Sequence, residues 1–162
     1  MAHTLIMFLH VVGATVLLGT GAGIAFFMLM AHRTGDAQLI AHTARIVVVA
    51  DVIFTATAVV VQPITGLILA REAGYPVFHG WIAASLVLYL VVGAFWLPVV
   101  WMQTRMRDLA RAAAAVGQPP PPAYRLLWRV WFAFGFPAFT AVLAIIWLMV
   151  AKPDLWGGFR LR

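Results

Sequence analysis

Histidine carries most of the chemistry that this sequence could perform. The chain has five histidines and no cysteine, which excludes thiol catalysis, iron–sulfur clusters, Cys-ligated zinc and structural disulfides. His10 lies in one long apolar run, and His79 stands two residues before Trp81, where another begins. Two neutral imidazoles that face each other across a helical bundle bind b-type haem. We therefore expect haem b between His10 and His79, although a lone interfacial histidine is more often a boundary residue.

Four further residues could complete such a haem site. Arg71 and Lys152 fall on the same side of the bundle and could meet the haem propionates. Ser85 and Tyr89 share a face of the third apolar run and could line the slot for the macrocycle. A quinone or a redox partner protein would then exchange electrons with the haem. Helix packing explains the Ser85 and Tyr89 stripe equally well.

A copper or divalent metal site is a second option for the histidines, with His3, His10 and His79 as donors. His3 and His10 are seven residues apart, which is poor spacing for joint ligation from one helix. His32 and His42 fall in or beside the first connection, where a solvated loop is the simpler interpretation. The sequence contains no phosphate-binding glycine loop, nucleophile elbow or paired carboxylate motif.

The second apolar run carries a different set of candidates, which would form a polar seam. At 100° per residue, its inward-facing residues fall within about 40° of one direction. Polar side chains in lipid are costly and normally face the bundle interior. The alternative to haem is therefore a non-enzymatic membrane subunit or small transporter with a proton or cation site at Asp51. The seam consists of Asp51, Thr55, Ala58, Gln62 and Thr65.

A similar stripe is predicted on the fourth apolar run, where Arg129, Phe136, Thr140 and Trp147 share a face. Arg129 would lie at the same end of the bundle as Asp51. A long arginine side chain can reach inward from a helix end, so we expect an ion pair between the two. This pair would either fix the packing of the helices or belong to a proton or cation site.

The composition shows which elements must position these residues. Of the 162 residues, 64% are hydrophobic and 10% are charged, whereas about a quarter are charged in soluble domains. Each of four apolar runs exceeds the roughly 20 residues that cross a bilayer core as a helix. We expect an all-α, four-helix membrane bundle in one domain, residues 1–162. The expected spans are 4–31, 46–70, 81–102 and 130–151.

Basic residues predict the orientation of the bundle. The net charge of +6 fits membrane topology better than nucleic-acid binding, because the arginines flank the apolar runs. The positive-inside rule places the first and third connections in the cytoplasm of a bacterial cell and both termini outside. The inner side carries Arg33, Arg45, Arg105, Arg107, Arg111, Arg125 and Arg129, and the outer side carries Arg71, Lys152, Arg160 and Arg162.

The third connection, residues 103–127, is the longest. Residues 103–116 are expected to continue the third helix along the membrane surface, and Gly117 is expected to end it. The four prolines 119–122 predict a stiff polyproline segment, either a spacer or a ligand for a partner protein. A homo-oligomer is compatible with so small a bundle, although no residue argues for it.

Several motifs occur in order along the chain: Phe8-Leu9-His10, Ala44-Arg45, Ala50-Asp51, Phe54-Thr55, Gln62-Pro63-Ile64-Thr65-Gly66 and residues 147–153. Together they resemble a family of predicted bacterial integral membrane proteins of unknown function. The resemblance covers nearly the whole chain and implies a membrane protein without implying a reaction.

A histidine near the start of the first helix is also distantly similar to copper-resistance D proteins and to HemJ-type protoporphyrinogen oxidases. The second resemblance implies haem at His10, because HemJ-type proteins contain haem. The chain has no intramembrane lysine and no close copy of the HemJ-type pattern around His10. Protoporphyrinogen oxidation is therefore not implied.

Overall fold

A computed structural model describes residues 1–78 and 80–155 of the chain. His79, Arg160 and Arg162 lie outside the described residues. Within them the chain is helical, and it forms no strand. The elements are α1 (Ala2–Thr34), α2 (Ala37–Ala50), a π-helical segment (Asp51–Thr55), α3 (Ala56–Glu72), α4 (Gly80–Ala115) and α5 (Pro122–Ala151).

Four helical stretches are long and apolar enough to cross a membrane, which confirms the predicted all-α bundle. They are α1, α4, α5 and the continuous run Ala37–Glu72, which joins α2, the π-helical segment and α3. We call this run the second span. It is packed most centrally, since 28% of its most apolar window is buried against 6–11% in the other three. Many large apolar side chains of the four helical stretches are exposed on the outside of the bundle, where lipid would contact them.

The second span begins well before residue 46, where its start was predicted. Asp36 caps α2, and its Oδ1 accepts hydrogen bonds from the backbone N–H groups of Gln38 and Leu39 at 2.7 and 3.2 Å. Such a cap satisfies backbone donors that a helix start leaves unpaired. The first connection is therefore a tight turn at residues 35 and 36, and His42 lies on α2 rather than in a loop.

The third and fourth spans are also longer than predicted. α4 continues to Ala115, in agreement with the expected extension, and Gly117 follows it at a φ of 65°. Pro122 is the first residue of α5, so the prediction that all four prolines stay outside a helix is wrong at this position. Proline is well tolerated there, because the first helical N–H has no intrahelical partner.

The chain packs most densely at the end of the bundle that contains the turn at residues 35 and 36 and the connection 116–121. We call this the arginine-rich end. A helix of α4's 36 residues is about 54 Å long, whereas the hydrocarbon core is about 30 Å thick. The helices therefore extend into water and need a core of their own. The buried cluster there includes Met28, Ala31, Ile40, Ala44, Met106, Ala110, Tyr124 and Trp131.

Candidate functional site: a polar seam along the second span

The predicted seam faces the interior of the bundle. Asp51, Thr55, Ala58 and Thr65 are buried, with 3, 7, 5 and 6% of their surfaces exposed, and Gln62 is partly buried. The helical period alone predicted this direction correctly, because the seam residues recur at intervals of three and four. Their chemical role stays a prediction.

Asp51 opens the π-helical segment, where one turn of the second span is widened. The indole N–H of Trp96, on α4, donates to Asp51 Oδ1 at 3.3 Å. Among the described residues, Asp51 Oδ2 and Thr55 Oγ1 are buried without a hydrogen-bond partner. Single π-turns within α-helices occur frequently at functional sites. The seam thus contains a carboxylate oxygen and a hydroxyl with unused hydrogen-bonding capacity in the interior of the bundle.

The predicted ion pair between Asp51 and Arg129 is wrong. Arg129 is exposed, as are the other three residues of the predicted α5 stripe, which ends at Trp147. The described part of the chain contains no ion pair between Arg129 and Asp51. α5 instead turns Tyr124 and Trp131 inward, where their rings join the buried cluster of the arginine-rich end.

His10 joins α1 to α3 near the other end of the seam. Its Nδ1 lies 2.9 Å from Thr65 Oγ1, which also lies 2.8 Å from the Val61 carbonyl oxygen. Because a hydroxyl has one proton, Thr65 either donates to Val61 and accepts from Nδ1–H or donates to an unprotonated Nδ1. The two helices approach closely at glycines. A Cβ at Gly66 would lie 3.0 Å from His10 Cε1. The imidazole therefore lies against the backbone of α3, and a larger residue at position 66 would have to displace the ring by a few tenths of an ångström.

Gln62 reaches across the same contact to the backbone of α1. Of the two ways to orient the Gln62 amide, one gives both of its polar atoms hydrogen-bond partners. In that orientation the nitrogen donates to the His10 carbonyl at 2.8 Å and to His10 Nδ1 at 3.1 Å, and the oxygen accepts from Ala14 N at 3.0 Å. Nδ1 is then an acceptor, which places the proton of the neutral ring on Nε2. Gly13 makes room for this contact, since a Cβ there would lie 2.8 Å from the Gln62 amide.

The proline within α3 explains why the Tyr89 hydroxyl bonds to the backbone of that helix. Pro63 has no N–H, so the Val59 carbonyl one turn earlier loses its helical partner. The Tyr89 hydroxyl, on α4, donates to that carbonyl. Tyr89 was predicted to line a haem slot, but its hydroxyl is engaged with the backbone of α3. The proline was visible in the sequence, whereas the partner on α4 was not.

A family model described as a predicted integral membrane protein, DUF2269, matches residues 4–153. The chain belongs to the DUF2269 family. The family was expected from the sequence motifs, and its description agrees with the four spans. No curated protein and no solved structure matches the chain.

In this DUF2269 chain, two of the other predicted haem residues lie near Trp81. Ser85 is buried and donates within α4 to the Trp81 carbonyl at 2.7 Å. Arg71 is exposed, and so is Lys152, whose Nζ lies 5.9 Å from the centroid of a Trp81 ring.

Two of the described histidines of the DUF2269 chain, His3 and His32, make separate contacts. His3 Nδ1 contacts Glu72 Oε2 at 2.7 Å at the surface. His32 stacks on Trp128 with ring centroids 3.8 Å apart, and this contact ties α1 to α5. Over residues 1–78 and 80–155, no group of three or more histidine, aspartate or glutamate side chains could hold a metal ion.

Sequence reasoning missed Gln103, which it placed in the third connection. Gln103 lies on α4, two turns beyond Trp96 toward the arginine-rich end. It is 2% exposed, and its Oε1 finds no donor within the described part of the chain. A polar group with an unused acceptor therefore lies on the same helix that carries the Trp96 donor to Asp51. The sequence predicted that the helix continues past residue 102, but it gave no sign that the Gln103 side chain is buried.

Proposed function

We propose that the chain is a small transport protein, or the membrane subunit of a transport system, in which Asp51 takes up and releases a proton. The bacterial cytoplasmic membrane is part of this proposal. One observation carries it: Asp51 is 3% exposed in a membrane-spanning bundle, and its Oδ2 has no partner among the described residues. Ionisable groups within spans are costly, and they mark ion or proton pathways by default. A proton on Asp51 would remove its uncompensated charge.

The length of the seam supports this proposal. Asp51 and Thr65 are 14 residues apart, which is about 21 Å along a helix in a hydrocarbon core of about 30 Å. Polar groups lie at both ends, with Asp51 and Thr55 at one and His10, Gln62 and Thr65 at the other. The short side chain of Ala58 lies between them. The distance between these two polar groups is therefore about two thirds of the thickness that a proton must cross.

The backbone around the seam is suited to small movements. The π-helical segment and the Pro63 break both leave the second span without a regular ladder of hydrogen bonds. α4 is attached at these two places, through Trp96 to Asp51 and through Tyr89 to the Val59 carbonyl. A small shift of α4 would therefore expose Asp51 and open the seam in one movement.

Proton flux in liposomes tests the proposal. The purified protein is reconstituted with an internal pH-sensitive dye, and a potassium gradient with valinomycin drives the flux. We expect Asp51→Asn to abolish flux, because the amide cannot release a proton. Asp108→Asn is the matched control: it removes the same charge from an exposed residue, which pairs with Arg107 at 2.8 Å on the surface, so flux should persist.

Two results would overturn the proposal. One is equal flux in the native protein and in Asp51→Asn, with both monodisperse and equally helical by circular dichroism. The other is flux that follows a sodium gradient and ignores the pH gradient, which would assign the seam to sodium. Absence of flux from folded native protein would leave transport without support and favour a role for Asp51 in packing alone.

Haem b with His10 and His79 as axial ligands, exchanging electrons with a quinone or redox protein, is a second proposal. One contact favours it: Thr65 Oγ1, 2.9 Å from His10 Nδ1, could accept a hydrogen bond from Nδ1–H and leave Nε2 for iron. A ligating histidine usually donates its other ring N–H in this way. Bound haem would supply one-electron redox chemistry. The fit is poor, because Gln62 also donates to Nδ1 and would have to turn away.

A reduced-minus-oxidised visible spectrum tests the haem proposal. Protein from haem-supplied cells should show a b-type α band that disappears in His10→Ala and in His79→Ala. His42→Ala, an exposed histidine on α2, serves as the control and should keep the band. A flat spectrum from folded native protein would remove the proposal.

A further inference from the structure

We propose that the arginine-rich end of the bundle binds the phosphate groups of anionic phospholipids. Seven arginines lie there, and the structure describes only two acidic residues with them, Asp36 and Asp108. Asp36 is occupied as the cap of α2, and Asp108 pairs with Arg107 at 2.8 Å. Most of the guanidinium groups therefore have no carboxylate partner in the described chain. This inference does not depend on the proton proposal.

Five of the arginines lie on one helical hairpin, and four of these form two pairs along its helices. α4 ends at Ala115 and α5 begins at Pro122 as its antiparallel neighbour. Along the axis of the bundle, this geometry places Arg111 at about the same level as Arg125 and Arg107 at about the same level as Arg129. Arg107 and Arg111 are four residues apart, as are Arg125 and Arg129, and like charges at this spacing repel each other. A bound anion would relieve this repulsion on both helices.

The height of these arginines suits a lipid headgroup. The predicted apolar parts of α4 and α5 end at residues 102 and 130, and the four arginines begin within one or two turns of these positions. Arginine binds phosphate through two parallel hydrogen bonds, and basic clusters next to a span bind anionic lipids. The opposite end differs, since there Arg71 and Lys152 are accompanied by Glu72 and Asp154.

Thermal unfolding in nanodiscs tests this inference. Intrinsic tryptophan fluorescence is followed in phosphatidylcholine alone and with about 30% phosphatidylglycerol, at low salt. We expect the anionic lipid to raise the midpoint of the native protein by at least about 3 °C. The rise should disappear when Arg107, Arg111, Arg125 and Arg129 are all replaced by glutamine. It should persist in the matched control, Arg71→Gln with Lys152→Gln.

Three results would overturn the inference: equal midpoints in the two lipid compositions, a full rise in the four-arginine variant, or an equal rise from inorganic phosphate added to phosphatidylcholine discs. The last would indicate a site for a soluble anion. If the four-arginine variant does not fold, native mass spectrometry of the unmodified protein tests lipid binding instead. It should retain phosphatidylglycerol with at least about tenfold preference over phosphatidylcholine, and equal retention would contradict the inference.

Discussion

Replacement of Gly13 by alanine tests the contact between α1 and Gln62. A Cβ at position 13 would lie 2.8 Å from the end of the Gln62 amide and 3.2 Å from its Cδ. Both distances are shorter than ordinary van der Waals contact, so Gln62 must move. The side chain is flexible, but its amide contacts the His10 carbonyl, His10 Nδ1 and Ala14 N at 2.8, 3.1 and 3.0 Å. Movement of Gln62 would weaken all three contacts.

The expected cost of Gly13→Ala is a difference between two effects. Loss of two or three hydrogen bonds costs about 2–3 kcal/mol, at about 1 kcal/mol each. Alanine regains about 1 kcal/mol over glycine within a helix. The net loss of unfolding free energy is therefore about 1–2 kcal/mol, or roughly 3–6 °C in the unfolding midpoint.

Unfolding in mixed dodecylmaltoside and SDS micelles, followed by tryptophan fluorescence, measures this loss. Gly21→Ala is the matched control on α1, since no atom lies within 4 Å of its added Cβ; its stability should stay level or rise. When Gln62 is alanine, Gly13→Ala should no longer cost stability, because the two residues are coupled. A Gly13→Ala protein as stable as the native one would refute the contact. An undiminished cost without Gln62 would assign it to another neighbour.

Two further substitutions test the local contacts that shape the seam. Tyr89→Phe should lower the unfolding free energy by about 1–2 kcal/mol, because the Val59 carbonyl loses its donor. Adding Pro63→Ala to this variant should recover most of the lost stability, because alanine at this position supplies an N–H to the same carbonyl; equal effects of Tyr89→Phe with and without Pro63 would contradict this reasoning. Asp36→Ala should cost about 1 kcal/mol of unfolding free energy by removing the cap of α2, whereas Asp36→Asn should retain most of it, and equal losses would argue against capping.

The four spans could be predicted because lipid leaves a chain of this composition with helices alone. The inward direction of the seam followed from the 3.6-residue period of the second span. The helix ends were less predictable. Asp36 extends α2 beyond the apolar run, through a cap whose strength depends on the turn before it. Arg129 was misplaced because the rotation of α5 depends on the burial of Tyr124 and Trp131, a tertiary effect.

The sequence indicated which residues belong to the candidate site, but it did not indicate their contacts with one another. His10, Gln62 and Thr65 were each selected from the sequence, but for different functions. Their hydrogen bonds depend on how closely α1 and α3 approach, which Gly13 and Gly66 allow. A glycine in each of two helices indicates a close crossing without naming the partners.

The uneven packing of the bundle has a mechanical consequence. The arginine-rich end is fastened by a core that draws on α1, α2, α4 and α5, whereas the buried cluster described at the opposite end has three members, Ala70, Trp81 and Ile82. Because more apolar surface is buried at the arginine-rich end, we expect the helices to separate more easily at the opposite end. Such a separation would widen the contact between α1 and α3 at His10 first.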